Sequence, residues 1–250
     1  QKGNTVYLNE LVGGALSFYL AAAVSKTAGL HIVVAEDRDA AAYTLNDLYA
    51  LVGEKRVLFF PSAYKRSIIY GREDAEGVVM RTNVMNEIAN LKSDDFLIVC
   101  TYPEAIAEAV VAQNELEKQS VKIAKGDRLD ISDLVEELDT QGFVRVDFVY
   151  EPGQYSVRGG IVDIFSYSES RPYRLDFFDD EVESLRRFEI ANQLSSDQLE
   201  SVDIIGNINR AEGRDSSFAS FVGESAAFWF YDADYALKKV DEIRVKVLQQ

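Results

Sequence analysis

Three short apolar runs in the first hundred residues constrain this chain more than any other feature. Leu30 to Ala35, Val57 to Phe60 and Phe96 to Cys100 each read as a buried strand, and stretches of helical spacing separate them. The helices read as Ala15 to Ala28, closed by Gly29, Asp37 to Val52, closed by Gly53, Val79 to Leu91, and Pro103 to Ala112, where proline suits a first helical turn. Short strands without polar alternation, set between helices, imply a parallel sheet covered on both faces. The rhythm predicts an α/β domain over residues 1–112.

From about residue 113 the pattern changes. Ser120 to Lys125 reads as a short strand, Asp130 caps a helix through Glu137, and beyond Gly142 the chain becomes strand-rich. Tyr155 to Phe165 and Tyr173 to Phe188 are interrupted by Gly159-Gly160 and by Asp179-Asp180-Glu181, as expected of antiparallel hairpins with a bulge and a tight turn. Residues 113–202 are therefore expected to form an inserted α+β domain. In residues 203–250 a strand at Ala226 to Phe230, then Asp232 as N-cap of a helix to the end, restores the α/β character, so this return segment is expected to complete the first domain. The chain stops on a helix without a closing element, as expected of a piece of something longer.

Charge narrows the functions open to such a chain. The net charge is −16 over 250 residues, and residues 113–202 alone hold 20 acidic against 10 basic groups. That balance disfavours duplex DNA and suits a basic partner or a merely solvated acidic face. One cysteine, Cys100, and one histidine, His31, exclude Cys/His zinc patterns and an internal disulfide, and both fall on expected strands, where a core role is the simpler reading. No apolar run approaches the roughly 18 residues of a membrane span and no signal peptide is visible, so a cytoplasmic protein is expected.

Two segments invite an enzymatic or nucleic-acid reading. Gly13, Gly14 and Ala15 lie before the first helix, where a nucleotide-binding α/β protein keeps its phosphate loop, yet no Gly-Lys pair occurs anywhere in the chain. Without the lysine that pairs with phosphates, the loop is expected to be degenerate, to bind no ATP and to need no cofactor or metal. Glu36 and Asp37 mimic a metal-holding acid after a strand, but Asp37 equally begins the next helix. An ATP-dependent helicase-like unit remains the enzyme-class alternative. Between Pro61 and Gly77, Tyr64, Lys65, Arg66, Tyr70 and Arg72 mix aromatics with positive charge as single-stranded DNA binders do, although Glu73, Asp74 and Glu76 follow at once. The crowded carboxylates Asp176, Asp179, Asp180, Glu181 and Glu183 fit turn chemistry better than a metal site.

The third candidate is a surface. With Tyr173, Leu175 and Phe177 facing the core, alternation sends Arg174, Asp176 and Phe178 to the other face, and a bulge at the glycines is expected to turn Arg158 the same way. Two arginines and a phenylalanine on an exposed sheet face are what protein-binding hot spots are built from. The alternative is an arginine stacked on an exposed phenylalanine within one molecule.

At these residues a resemblance becomes specific. Tyr155-Ser-Val-Arg158-Gly159-Gly160-Ile-Val-Asp163-Ile-Phe165, followed by Tyr173-Arg174-Leu-Asp176-Phe177-Phe178-Asp179-Asp180-Glu181, is closely similar to the UvrB-homology module, and among its bearers to the N-terminal part of bacterial transcription-repair coupling factors. The resemblance implies a helicase-like, P-loop-NTPase-like parallel-sheet domain with an inserted α+β domain. It also implies that the insert docks UvrA, the damage-recognition ATPase of nucleotide excision repair, through Arg158, Arg174 and Phe178. In such proteins the face is thought to be masked by other domains of the same chain. RNA polymerase binding and DNA translocation belong to domains outside these 250 residues.

Overall fold

The computed structural model describes residues 5–8, 10–11, 13–24, 26–64, 74–208 and 214–248. The first hundred of these build an alternating unit: α1 (Ala15–Val24), β1 (Gly29–Val34), α2 (Arg38–Val52), β2 (Val57–Phe59), α3 (Ala75–Ala89), β3 (Phe96–Thr101) and α4 (Pro103–Ala107). A second group follows: α5 (Gln113–Lys118), β4 (Ser120–Ala124), α6 (Ile131–Thr140), β5 (Val144–Arg145), β6 (Gln154–Arg158), β7 (Ile161–Ile164), β8 (Tyr173–Phe178), β9 (Glu181–Phe188), β10 (Ser195–Leu199) and β11 (Ser201–Ile205). The chain ends with α7 (Phe218–Val222), β12 (Ala227–Phe230) and α8 (Ala233–Leu248).

The parallel sheet has the order β12-β1-β3-β2, and all three of its pairings are parallel. Period-two alternation sorts its side chains into two cores. Leu30, Ile32, Val34, Leu97 and Val99 pack on one face with Val84, Met85 and Ile88 of α3, with Phe218 and Phe221 and with Ala236 of α8. Val33, Ile98 and Cys100 pack on the other with Leu20 and Val24 of α1 and Leu48 of α2. Helices on both faces explain why the strands read as apolar runs. A chain from the far end, β12, completes one edge, with Ala227 to Phe230 in register with His31 to Val34.

The second sheet has six strands in the order β10-β9-β8-β7-β6-β5, antiparallel except for the β5–β6 pair. Its inner face, with Tyr155, Val162, Ile164, Tyr173, Leu175, Val182 and Leu185, closes on Leu134 and Leu138 of α6 and on Ile123, Val202 and Ile204 of the β4–β11 pair. The Tyr155 hydroxyl donates to Asp139 at 2.8 Å and ties α6 to β6. β11 runs through residue 202 to Ile205, so its ladder with β4 extends past the boundary that composition suggests.

Several boundaries differ from the sequence expectation for physical reasons. The helix expected to reach Ala112 stops at Ala107, because Glu108 turns extended and sends its carboxylate inward. There it accepts from the Ser62 hydroxyl and from the Ala63 amide at 3.0 Å, and faces Arg81 at 3.4 Å. Val110 then pairs with Ser216. The first helix ends at Val24 rather than Ala28. Gly159-Gly160 forms a two-residue turn, not a bulge, and Gly159 takes φ +61°. The irregularity lies instead between Asp176 and Phe177, where β9 carries one extra residue. Among the described residues no helix is long and apolar enough to cross a membrane.

Candidate protein-docking site

The outer face of the six-stranded sheet is built by cross-strand register. Ser156, Asp163, Arg174 and Arg186 form one lateral row across β6 to β9, and Arg158, Ile161, Asp176 and Ser184 form the next. Arg158 therefore reaches the face of Arg174 by ordinary alternation from Ser156, and the bulge expected beside it is not needed. The turn that fixes this register requires glycine at 160, since a Cβ there would stand 2.8 Å from the Phe177 carbonyl oxygen.

Asp163 organises the face. Its side chain is 0% exposed. It accepts from Arg174 Nε at 2.7 Å and Nη2 at 2.9 Å, and from Arg158 Nη2. A buried carboxylate with no other charge to neutralise it is costly, and two guanidinium forks meet that need. Arg174 is drawn inward as a result. Its side chain is 14% exposed, lies over the Phe188 ring with 4.5 Å to the centroid, and donates to the Gln193 carbonyl at 3.1 Å. Hydrogen bonding to Asp163 holds the Arg174 guanidinium above its ordinary pKa against the opposing effect of burial. Arg158 is 35% exposed, stacks over Phe148 at 5.3 Å and donates to the Asp147 carbonyl at 3.1 Å and to Ser156 Oγ at 2.8 Å. Arg186 pairs with Asp176.

Phe178 is 76% exposed at the end of β8, opposite Glu181 and just before Asp179, whose φ of +58° makes the turn. The structure thus brings Arg158 and Arg174 together on one carboxylate and leaves Phe178 exposed to solvent beyond them. Arginine–aromatic stacking within the molecule, the alternative that sequence leaves open, occurs too, with Phe148 and Phe188 as the rings rather than Phe178. Sequence reasoning assigns no role to Asp163 or Phe148. The signal for Asp163 is a lone charge on the polar side of an otherwise apolar strand, and for Phe148 an apolar residue at every second position from Val144 to Tyr150.

The other candidates resolve differently. Gly13 has φ +60° and Gly14 precedes α1, but residues 5–8 form no strand, so the strand-to-helix entry of a phosphate loop is not formed among the described residues. The Asp47 carboxylate accepts from Ser17 Oγ at 3.2 Å and stands 3.7 Å from where a Gly14 Cβ would lie. It places negative charge where phosphates would need the opposite. Ala15 opens α1 and carries no polar group. Asp37 is the N-cap of α2, accepting from the Ala40 amide at 2.8 Å. Lys65, Arg66, Tyr70 and Arg72 lie outside the described residues, and the Tyr64 hydroxyl pairs with Arg214 at 3.4 Å. His31 and Cys100 are buried, and burial pushes the Cys100 thiol up to about 12.

Comparison with known proteins finds similarity over most of the chain. Residues 121–208 match the family model described as UvrB interaction domain. The chain is 27% identical over 198 residues to a transcription-repair-coupling factor of Haemophilus influenzae, covering 79% of this chain and 17% of that protein. It is 28% identical over 195 residues to its counterpart in Bacillus subtilis, covering 78% and 16%. It is 24% identical over 205 residues to UvrABC system protein B of Thermotoga petrophila, covering 78% and 31%. The chain thus spans about one sixth of the length of these coupling factors. Residues 121–208 thus resemble a UvrB interaction domain, and about four fifths of the chain is similar to one segment of transcription-repair-coupling factors.

Proposed function

We propose that this chain is a non-catalytic docking module whose outer sheet face binds UvrA and so recruits it in transcription-coupled nucleotide excision repair. The observation that carries the reading is the Arg158–Asp163–Arg174 cluster with Phe178 exposed on the same face. Guanidiniums fixed by a buried carboxylate lose little freedom on binding, and an exposed ring offers apolar area to a partner's pocket. The parallel-sheet unit, helicase-like with a degenerate loop at Gly13, Gly14 and Ala15, acts as the scaffold, and the strands of about residues 113–202 carry the interface. Other domains of the same full-length protein cover this face until it is needed. RNA polymerase and DNA are engaged only by domains beyond this segment.

Calorimetric titration of purified UvrA into the wild-type chain and into Arg158→Ala and Phe178→Ala tests the reading. Each substitution is expected to weaken binding by about thirtyfold or more, the effect of removing a hot-spot anchor, with the fold retained. Unchanged affinity in both variants would refute it, and saturable binding of ATP with magnesium would favour the enzyme alternative.

A further inference from the structure

We propose that Phe148 is a second apolar anchor of the docking face, engaging the same partner on the far side of Arg158 from Phe178. The inference rests on the docking reading above and extends the face to a segment that neither the UvrA-binding arginines nor Phe178 includes. Phe148 is 49% exposed, and Val144 and Tyr150, two residues away on either side of the Val146–Phe148 pair, are exposed as well. Three apolar side chains in the open at the β5 margin of the sheet are more than a short loop needs for its own fold.

The loop between β5 and β6 is held rigid without help from the Phe148 ring. Val149 is fully buried in a small core with Phe165 and Phe188, against which Val146 also packs. The Asp147 carbonyl accepts from Ser156 Oγ at 2.9 Å and from Arg158 Nη1 at 3.1 Å. The amides of Tyr150 and Glu151 donate to Gln154 Oε1 at 2.9 and 3.1 Å. The Phe148 ring is thus presented outward on a fixed backbone, beneath the Arg158 guanidinium. An aromatic already ordered before binding gives contact area at small entropic cost.

The chemistry of the partner surface follows from the pair. Asp163, Ser156 and Asp147 take up one edge of the Arg158 guanidinium, and Phe148 takes one face. What remains open suits an acidic group, and the Phe148 ring next to it suits an apolar socket. A surface offering a carboxylate beside a shallow apolar hollow would engage both at once.

The test is calorimetric titration of purified UvrA into the wild-type chain and into Phe148→Ala, Phe148→Gln, Arg158→Ala and Tyr43→Ala. Tyr43 is an exposed aromatic on α2, a helix of the parallel-sheet unit. The Phe148 variants are expected to bind about tenfold or more weaker with unchanged melting temperature, Tyr43→Ala to bind as wild type, and Phe148→Ala with Arg158→Ala to cost less than the product of the two single effects. Affinity within twofold of wild type for both Phe148 variants, with Arg158→Ala weakened, overturns the proposal and leaves the docking reading standing. No effect of Arg158→Ala overturns the proposal too, and the docking reading falls with it where Phe178→Ala is also without effect.

Discussion

Replacing Asp163 by Asn tests whether the outer face is organised by a buried charge. The side chain is isosteric, so packing is kept, but an amide nitrogen must replace one carboxylate oxygen. At the Oδ2 position it would meet Nη donors of both arginines, and at Oδ1 it would meet Arg174 Nε. Either way a donor faces a donor. Removing one partner of a buried ion pair costs about 3–5 kcal/mol, and charge-assisted hydrogen bonds are worth about 1.5–3 kcal/mol each. The Arg158 bond is discounted, since that side chain is about a third exposed and screened by water. The two bonds to the nearly buried Arg174 dominate, and a loss of about 2–4 kcal/mol is expected. Native-state hydrogen exchange of peptides covering residues 154–178 reads this locally, as opening that is about 30-fold to several hundredfold more frequent. Adding Arg174→Met should recover part of the loss, because exchanging a buried pair for apolar groups is far milder than orphaning one member. A loss below about 1 kcal/mol for Asp163→Asn, or a double variant no more stable than it, would refute the argument.

Two further outcomes follow from the parallel-sheet unit. His31 is buried, and its Nδ1 accepts from Trp229 Nε1 at 3.2 Å. Burial lowers its pKa, so below about pH 6.5 the unfolded chain takes up a proton that the folded chain refuses, and stability falls as pH falls, by at most about 1.4 kcal/mol per pH unit. Urea titrations followed by Trp229 fluorescence at pH 7.5 and 5.5 should show a larger acid loss for wild type than for His31→Gln, and equal losses would contradict it. Gly77 lies in α3 where a Cβ would stand 2.5 Å from the Ser62 carbonyl oxygen. Gly77→Ala is expected to lower stability by about 1–3 kcal/mol despite the better helix propensity of alanine, and a raised melting temperature would show that the close approach is not required.

The parallel sheet is legible in the sequence because burial on both faces removes polar residues from its strands, and that signal is local. Ends set by distant partners are not legible. The α4 helix stops where Glu108 finds Ser62, Ala63 and Arg81, all more than twenty residues away in the chain. The β4–β11 ladder joins Ser120 to Ile205 across the whole of the intervening sheet, and nothing in either strand names the other. In the candidate site, strand parity is enough to place Arg174 and Phe178 on one face, whereas Arg158 joins them through a two-residue turn and not through the bulge expected at the glycines. Parity is silent on how far each stands out, because that depends on which residue lies opposite. The pairing of Asp163 with Arg174 and of Ser156 with Asp163 follows from the turn at Gly159-Gly160, and once that register is set the buried carboxylate pulls Arg174 down to 14% exposure.

That inward pull changes where binding energy is expected to reside. A guanidinium already bonded to a carboxylate has given up part of its hydration and has part of its field cancelled by that carboxylate, so a partner pays less to dehydrate it and gains less from its field. The outer rows carry Arg158, Arg174 and Arg186 against Asp163 and Asp176, a small positive excess on a chain of net charge −16. A polyphosphate, drawn by long-range field, is repelled by the whole before it meets the excess. A protein surface with one carboxylate in the right place feels the arginines only within roughly a Debye length of about 8 Å, at a distance where shape already decides. Affinity should then rest on the exposed rings at Phe178 and Phe148 and on the more exposed Arg158, and the inward-drawn Arg174 should mainly set which partner is allowed to reach them.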